Sequence, residues 1–166
     1  PGRLDLHPVW ALTRDAGRRR GRRVAFRVQL SNPEIQPAKL ALPDFLQPKV
    51  PLVTIRSRSA RGPERVELRY DHPEFQRAFR ELNELLAAEL DGDPLVEFAD
   101  LMMYGFWGEG HTSDYPSPIP DLAVAERTFV EMTRLQMEAW RRVPLVVNTQ
   151  PDISRTGNRT VLDLAG

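Results

Sequence analysis

Residues 104–111 read YGFWGEGH and bring one carboxylate, one imidazole and three aromatic rings together with three glycines. Glu109 could give or accept a proton, and His111 could hydrogen-bond Glu109 or a ligand hydroxyl. Trp107 offers a flat apolar face suited to packing against a sugar ring. The glycines let the backbone turn sharply and approach a ligand closely. These residue types predict a ligand-binding or acid–base site.

Other chemistries fit this stretch less well. No G-x-G-x-x-G opens a helix, no lysine supplies a phosphate loop, and no G-x-S-x-G is present. Glu109, His111 and Asp114 could supply metal ligands, but no HExxH pair accompanies them, so we expect no metal. The simpler alternatives are that Glu109 caps the next segment and that His111 is a structural histidine.

The composition is that of a globular domain, because 166 residues at 41% hydrophobic and 28% charged can bury a sizeable core. Lys plus Arg and Asp plus Glu are both 23, so a general attraction to nucleic acid or to an acidic membrane is not implied. The basic run RRRGRR, residues 18–23, could form a nucleic-acid patch, although a solvated helix end explains it equally simply. With no cysteine, thiolate catalysis and disulfides are excluded. We therefore expect a small neutral partner, with no nucleic acid and no membrane.

A strand is predicted at residues 24–30, VAFRVQL, whose alternation places Arg27 and Gln29 on the face opposite Phe26. In a β/α barrel the outward face of a strand meets helices, while the inward face near the carboxyl end carries substrate-facing polar groups. Arg27 is therefore a binding candidate. The alternative is the solvent-facing side of an antiparallel sheet.

Two helices are predicted from apolar residues at helical spacing, over residues 73–90 and 120–142. Each precedes an apolar segment, residues 95–103 and 144–150, and the second segment ends in Asn148 and Gln150. Strand, helix and strand in succession favour parallel pairing and the α/β class. Ligands bind at the carboxyl edge of such sheets, where YGFWGEGH follows its strand.

Residues 31–64 are rich in proline and lack a sustained period, which is more typical of a functional lid or binding loop than of filler. Within this region, LVTI at residues 52–55 is a candidate short strand. Residues 65–70, RVELRY, alternate again and predict another short strand.

From residue 65 onward, the order of segments resembles the middle of the β/α-barrel domain of clan-A retaining glycoside hydrolases, the superfamily that includes microbial β-galactosidases. In that group a short strand, a helix ending near D-x-P and a strand ending in an acid/base glutamate follow one another. Here the helix ends at DGDP, residues 91–94, and Glu109 matches the glutamate. The usual Asn-Glu pair is replaced by Gly108-Glu109, which is closer to a G-x-W-G-E pattern of less characterised glycosidase-like barrels.

The resemblance implies a (β/α)8 TIM-barrel fold in which this chain covers strands 2 to 5, at residues 24–30, 65–70, 95–105 and 144–150. Residues 1–166 would be a single, incomplete barrel domain, because a complete barrel takes about 250 residues. The remaining part of the barrel would be its partner and would supply the nucleophile, so this chain alone would be inactive.

The expected function is hydrolysis of O-glycosidic bonds by a retaining two-carboxylate mechanism, with Glu109 as acid/base and no cofactor. The expected partner is a carbohydrate substrate. Trp107 and Tyr104 would form the sugar platform, and the hydroxyl-binding candidates are Arg27, His111, Asn148 and Gln150. One alternative is a non-catalytic carbohydrate-binding or scaffold barrel. Another is an open α/β ligand-binding domain complete at 166 residues.

Overall fold

The structure, a computed structural model, describes residues 2–32, 43–55, 65–110 and 122–147. Three helices and five strands follow one another in the order α1 (Pro8–Arg20), β1 (Val24–Arg27), β2 (Leu52–Ile55), β3 (Arg65–Leu68), α2 (Pro73–Leu90), β4 (Val96–Asp100), α3 (Leu122–Ala139) and β5 (Leu145–Val146). None of the helices in these ranges is long and apolar enough to cross a membrane. The predicted helices and the predicted α/β class are confirmed.

The helices begin and end where local side chains satisfy their backbone groups. In α2 the His72 imidazole accepts a hydrogen bond from the Glu74 N–H at 3.3 Å, and Pro73 occupies the first turn. At the C-terminal end of α1, Gly21 adopts the left-handed conformation at φ 59° and its N–H donates to the Arg18 carbonyl. These caps explain why the proline and glycine positions mark the helix ends.

The main sheet is parallel, with the strand order β1-β4-β5. Both chain crossovers between neighbouring strands pass through a helix, α2 or α3, and both step in the same direction across the sheet. Crossovers of one handedness then place both helices on the same face. An ion pair between Arg80 of α2 and Glu138 of α3 joins the two helices there at 2.9 Å, and Trp140, the residue after α3, donates to Asn83 of α2 at 3.3 Å.

The core lies between this sheet and its helices. Phe129 and Met132 of α3 are fully buried, and Phe26 of β1 packs against Trp140 at a ring distance of 6.0 Å. Phe26 also packs against Trp10 of α1 at a ring distance of 5.4 Å. The regular strand ends at Arg27, so β1 is shorter than predicted.

Gln136 of α3 extends the hydrogen bonding of β4 past its last residue. Its buried side-chain amide accepts from the Met102 N–H at 2.7 Å and donates to the Met102 carbonyl at 3.0 Å. It also donates to the Met132 carbonyl at 3.0 Å. A single side chain therefore takes the place of a neighbouring strand where the chain leaves β4.

The predicted (β/α)8 barrel, with this chain as strands 2 to 5, is wrong. A barrel would place β3 between β1 and β4, but β1 pairs directly with β4, from Val24 opposite Val96 to Arg27 opposite Asp100. β3 instead pairs antiparallel with β2 in a separate two-stranded sheet. The described residues form a small α/β domain with no closed barrel. Alternation identified β3 as a strand, but alternation carries no information about the pairing partner of a strand.

Candidate functional site

An arginine and two carboxylates form a charge cluster at the carboxyl edge of the parallel sheet. The Arg27 Nε donates to the Asp100 Oδ2 at 2.8 Å, and one terminal nitrogen of Arg27 donates to the same oxygen. The other terminal nitrogen lies 3.4 Å from the Glu109 Oε1. The three side chains are 24%, 20% and 28% exposed, so the cluster is partly open to solvent.

Strand register accounts for the pairing of Arg27 with Asp100. The two residues are opposite each other in the last paired position of β1 and β4, and both strands run in the same direction. Their side chains therefore leave the sheet together at its carboxyl edge, the edge at which parallel α/β folds bind ligands. Glu109 reaches the same point after the chain turns back from β4.

The turn that returns Glu109 to the sheet is the glycine loop, which we define as residues 105–110. Gly105, Gly108 and Gly110 have φ values of 86°, 70° and 68°, which L side chains rarely adopt. Trp107 has φ 58° and ψ 8° and is the one non-glycine residue with positive φ in the part of the chain that the structure describes. A left-handed tryptophan costs about 1–2 kcal/mol of backbone energy, so the surrounding contacts must hold it in place.

Backbone hydrogen bonds hold the glycine loop from inside and from outside. Within the turn, the Gly110 N–H donates to the Tyr104 carbonyl at 2.9 Å, and the Met103 N–H donates to the Gly108 carbonyl at 3.2 Å. From the neighbouring chain segment, the Ser31 carbonyl accepts from the Trp107 N–H at 2.9 Å. The loop is thus fixed both to the end of β4 and to the residues that follow β1.

The two predicted platform aromatics lie in different environments. Trp107 is partly exposed, lies two residues before Glu109 in the chain and packs edge-on against Phe106 at 5.9 Å. Tyr104 is only 1% exposed, and its ring packs against Phe129 at 6.0 Å and Tyr70 at 6.2 Å. The structure therefore places Trp107 at a surface that a ligand can reach and Tyr104 in the core.

Of the other predicted site residues, Arg27 and Glu109 are brought together, as their positions at strand ends suggested. His111, Asn148 and Gln150 lie outside the described residues. So does Asp114, the third residue of the metal-ligand alternative. Within the described ranges no group of three or more histidine, aspartate or glutamate side chains is arranged to hold a metal ion.

Two acidic residues were missed from the sequence, Asp100 at this edge and Glu67 on β3 of the two-stranded sheet. Asp100 lies within the apolar segment at residues 95–103, and a carboxylate at the last position of a parallel strand is itself a signal for a site. Glu67 of β3 is 1% exposed, and both the Ser31 hydroxyl and the Tyr70 hydroxyl donate to it. Its burial depends on the position of β3, which the sequence pattern does not determine.

A cleft of about 250 Å³ lies apart from the charge cluster, and its described lining includes neither Glu109, Asp100 nor Trp107. It opens between residues 28–30, residues 43–46 and α2. Its walls are mostly apolar and include Leu30, Leu46, Leu68, Phe75, Phe79 and Leu82. We base the functional assignment on the charge cluster, because its polar groups converge and those of the cleft do not.

Comparison with family models, with curated proteins and with solved structures finds no match to this chain. The resemblance to clan-A glycoside hydrolases is therefore neither supported nor refuted by these comparisons. Any function has to be argued from the geometry of the charge cluster and the glycine loop.

Proposed function

We propose that the charge cluster and Trp107 form a carbohydrate site, and that Glu109 is the acid/base group for hydrolysis of an O-glycosidic bond. The observation that carries the proposal is the convergence of Arg27, Asp100 and Glu109 at the carboxyl edge of a parallel sheet, with a partly exposed tryptophan two residues before Glu109 in the same loop. Sugars present hydroxyl groups at their edges and apolar C–H groups on their faces. Charged hydrogen-bonding groups beside an indole complement both.

The two carboxylates have different positions with respect to Arg27. Asp100 receives two N–H groups of the guanidinium on one oxygen, which orients Arg27 and leaves Asp100 with little freedom to move. The contact between Arg27 and Glu109 is longer, at 3.4 Å, and Glu109 is the most exposed of the three side chains at 28%. Glu109 is therefore the group better placed to exchange a proton with a ligand.

Trp107 and Arg27 supply binding rather than proton transfer. The indole of Trp107 would pack against the face of a sugar ring, and the N–H groups of Arg27 that point away from the carboxylates would donate to ring hydroxyls. Retaining hydrolysis also needs a second carboxylate, about 5 Å from the first. Asp100 is the carboxylate that the same guanidinium holds beside Glu109, so the test of hydrolysis includes it.

Hydrolysis is tested with the whole protein and a panel of 4-nitrophenyl glycosides that differ in sugar and in anomeric configuration. Glu109→Gln removes the proton-transfer group at almost constant shape and is expected to lower kcat by about a hundredfold or more. Asp100→Asn is measured in parallel. Glu97→Gln is the matched control, because Glu97 lies on β4 with Asp100 but its side chain is 53% exposed and forms an ion pair with Arg23 outside the charge cluster. Turnover that is unchanged in Glu109→Gln would contradict the assignment.

The second candidate function is carbohydrate binding without hydrolysis. It is favoured by the contact between Arg27 and Glu109, because a carboxylate held by a guanidinium can accept hydroxyl groups without any proton transfer. Under this alternative no glycoside is turned over, but oligosaccharides bind, and Trp107→Ala weakens binding by about tenfold while Glu97→Gln leaves it unchanged. An arrayed glycan screen followed by calorimetry on the glycans that bind distinguishes the two.

A further inference from the structure

Glu67 is a carboxylate in the interior of the domain, and neither acid–base chemistry nor sugar binding as proposed above uses it. It lies on β3, is 1% exposed, and accepts hydrogen bonds from the hydroxyl groups of Ser31 and Tyr70. Burying a carboxyl group is unfavourable unless hydrogen bonds or charges compensate for the lost water. A valine or threonine would occupy this buried strand position at a lower desolvation cost. The presence of a glutamate here therefore points to a role for its hydrogen bonds.

Ser31 and Tyr70, which donate to Glu67, both lead to the glycine loop. The backbone carbonyl of Ser31, whose hydroxyl donates to Glu67, accepts the Trp107 N–H at 2.9 Å. The ring of Tyr70, whose hydroxyl also donates to Glu67, packs against Tyr104 at 6.2 Å. The Tyr104 carbonyl in turn accepts the N–H of Gly110 at 2.9 Å, at the far end of the loop.

We propose that Glu67 is a positioning residue that holds the glycine loop in its left-handed conformation and so fixes Trp107 beside Glu109. This rests on the proposed carbohydrate site for its functional meaning. Trp107 at φ 58° persists only if neighbouring groups over-determine its backbone. Glu67 is linked to such groups through Ser31, whose carbonyl accepts the Trp107 N–H, and through Tyr70, whose ring packs against Tyr104 directly before the loop. A loop fixed before the ligand arrives binds more tightly than one that must be ordered on binding.

The proposal is tested first without any sugar, by amide hydrogen exchange measured with NMR at a fixed pH. Ser31→Ala removes the hydroxyl that donates to Glu67 but keeps the carbonyl that accepts from Trp107. We expect exchange of the Trp107 and Gly110 amides to accelerate by about tenfold or more, while the Phe129 amide in the core of α3 keeps its protection. Glu67→Gln, which replaces one acceptor oxygen by a donor, should have the same effect.

Thr133→Val is the matched control, since it also removes a buried hydroxyl, one that donates to the Phe129 carbonyl at 3.0 Å, within α3. It should leave exchange of the Trp107 amide unchanged. If Glu67→Gln does not fold, Ser31→Ala alone decides the question. Unchanged exchange of the Trp107 amide in Ser31→Ala, or an equal acceleration in Thr133→Val, would overturn the proposal.

Sugar binding is then measured on the same variants with a glycan that the wild-type protein binds. Ser31→Ala should raise Kd about fivefold, and Thr133→Val should leave Kd unchanged. Equal Kd values for Ser31→Ala and wild type would overturn the functional part. Should the wild-type protein bind no glycan, the proposed function fails, whereas accelerated exchange in Ser31→Ala would still support the positioning of the loop by Glu67.

Discussion

Asp91 joins the end of α2 to the turn that leads into β5, and its replacement makes the sharpest stability prediction. One carboxylate oxygen accepts the Arg141 N–H at 2.8 Å, and the other accepts the N–H groups of Arg142 and Val143 at 2.9 and 2.8 Å. The three donors are consecutive backbone groups of the segment after α3. Asp91 thus closes this turn much as a capping residue closes the first turn of a helix.

The expected loss in Asp91→Ala follows from the number and exposure of these hydrogen bonds. A hydrogen bond to a charged group contributes about 1.5–3 kcal/mol, but water replaces part of it at exposed positions. Arg141 and Arg142 are exposed, whereas Val143 is 8% exposed, so only the Val143 N–H is left poorly solvated. We expect the free energy of unfolding to fall by about 2 kcal/mol, or Tm by about 4–8 °C.

The pH dependence gives an independent check on the same group. Burial alone would raise the pKa of Asp91, but the backbone N–H groups of Val143, Arg142 and Arg141 together lower it below its ordinary value. A lowered pKa in the folded state means that Asp91 stabilises fully above its unfolded pKa, about 3.9, and that this contribution is lost as pH falls through the folded value. The difference between wild type and Asp91→Ala should therefore be constant above about pH 5 and shrink below about pH 4.

Urea unfolding followed by circular dichroism at pH 7 and pH 3 measures both effects. Asp91→Asn keeps one acceptor oxygen and should lose about half as much stability as Asp91→Ala. Glu89→Ala, at an exposed position of the same helix, is the control and should change the free energy of unfolding by less than about 0.5 kcal/mol. A difference between wild type and Asp91→Ala that is equally large at both pH values would refute the role of the ionised carboxylate.

Three further substitutions test the packing that surrounds the site, each by urea unfolding. Gln136→Leu should cost about 3 kcal/mol, because it removes the buried partners of both Met102 backbone groups; a loss below about 1 kcal/mol would contradict this. Gly17→Ala should lower the free energy of unfolding by about 1–3 kcal/mol even though alanine favours helices, because the new Cβ would lie 2.9 Å from the Arg22 carbonyl oxygen. A gain in stability would show that the turn after α1 relaxes to make room for the Cβ. Gly108→Ala should lower the free energy of unfolding by about 1–2 kcal/mol because of its positive φ. A steric clash does not contribute, since the atom nearest to the new Cβ would be 3.5 Å away. An unchanged free energy of unfolding would mean that the loop changes conformation.

The sequence was most informative where local signals decide the structure. Pro73 and the stripe that includes Phe75 and Phe79 predicted α2 at its observed bounds, because capping and helical periodicity act within a few turns of chain. The meeting of Arg27 and Glu109 could also be expected, since Arg27 ends β1, Glu109 follows β4, and the carboxyl ends of these parallel strands share one edge.

Long-range pairing was beyond the sequence pattern. The strand at residues 65–68 was recognised, but whether it joins β1 or pairs with residues 52–55 depends on contacts between distant segments. The same limit applies to Tyr104, because an aromatic residue in a glycine-rich stretch can face a ligand or the core. Its burial is decided by Tyr70 and Phe129, which come from other elements.

The amide of Gln136 also makes α3 and the exit of β4 a single mechanical unit. Because this side chain hydrogen-bonds to both backbone groups of Met102, a shift of α3 along its axis would also move the residues immediately before the glycine loop. This displacement would reach Trp107 through Met102 and Met103, since the Met103 N–H is itself hydrogen-bonded to the Gly108 carbonyl in the glycine loop. Strain applied near the start of α3 would accordingly be felt at the tryptophan, and a ligand pressing on the tryptophan would pull on the helix.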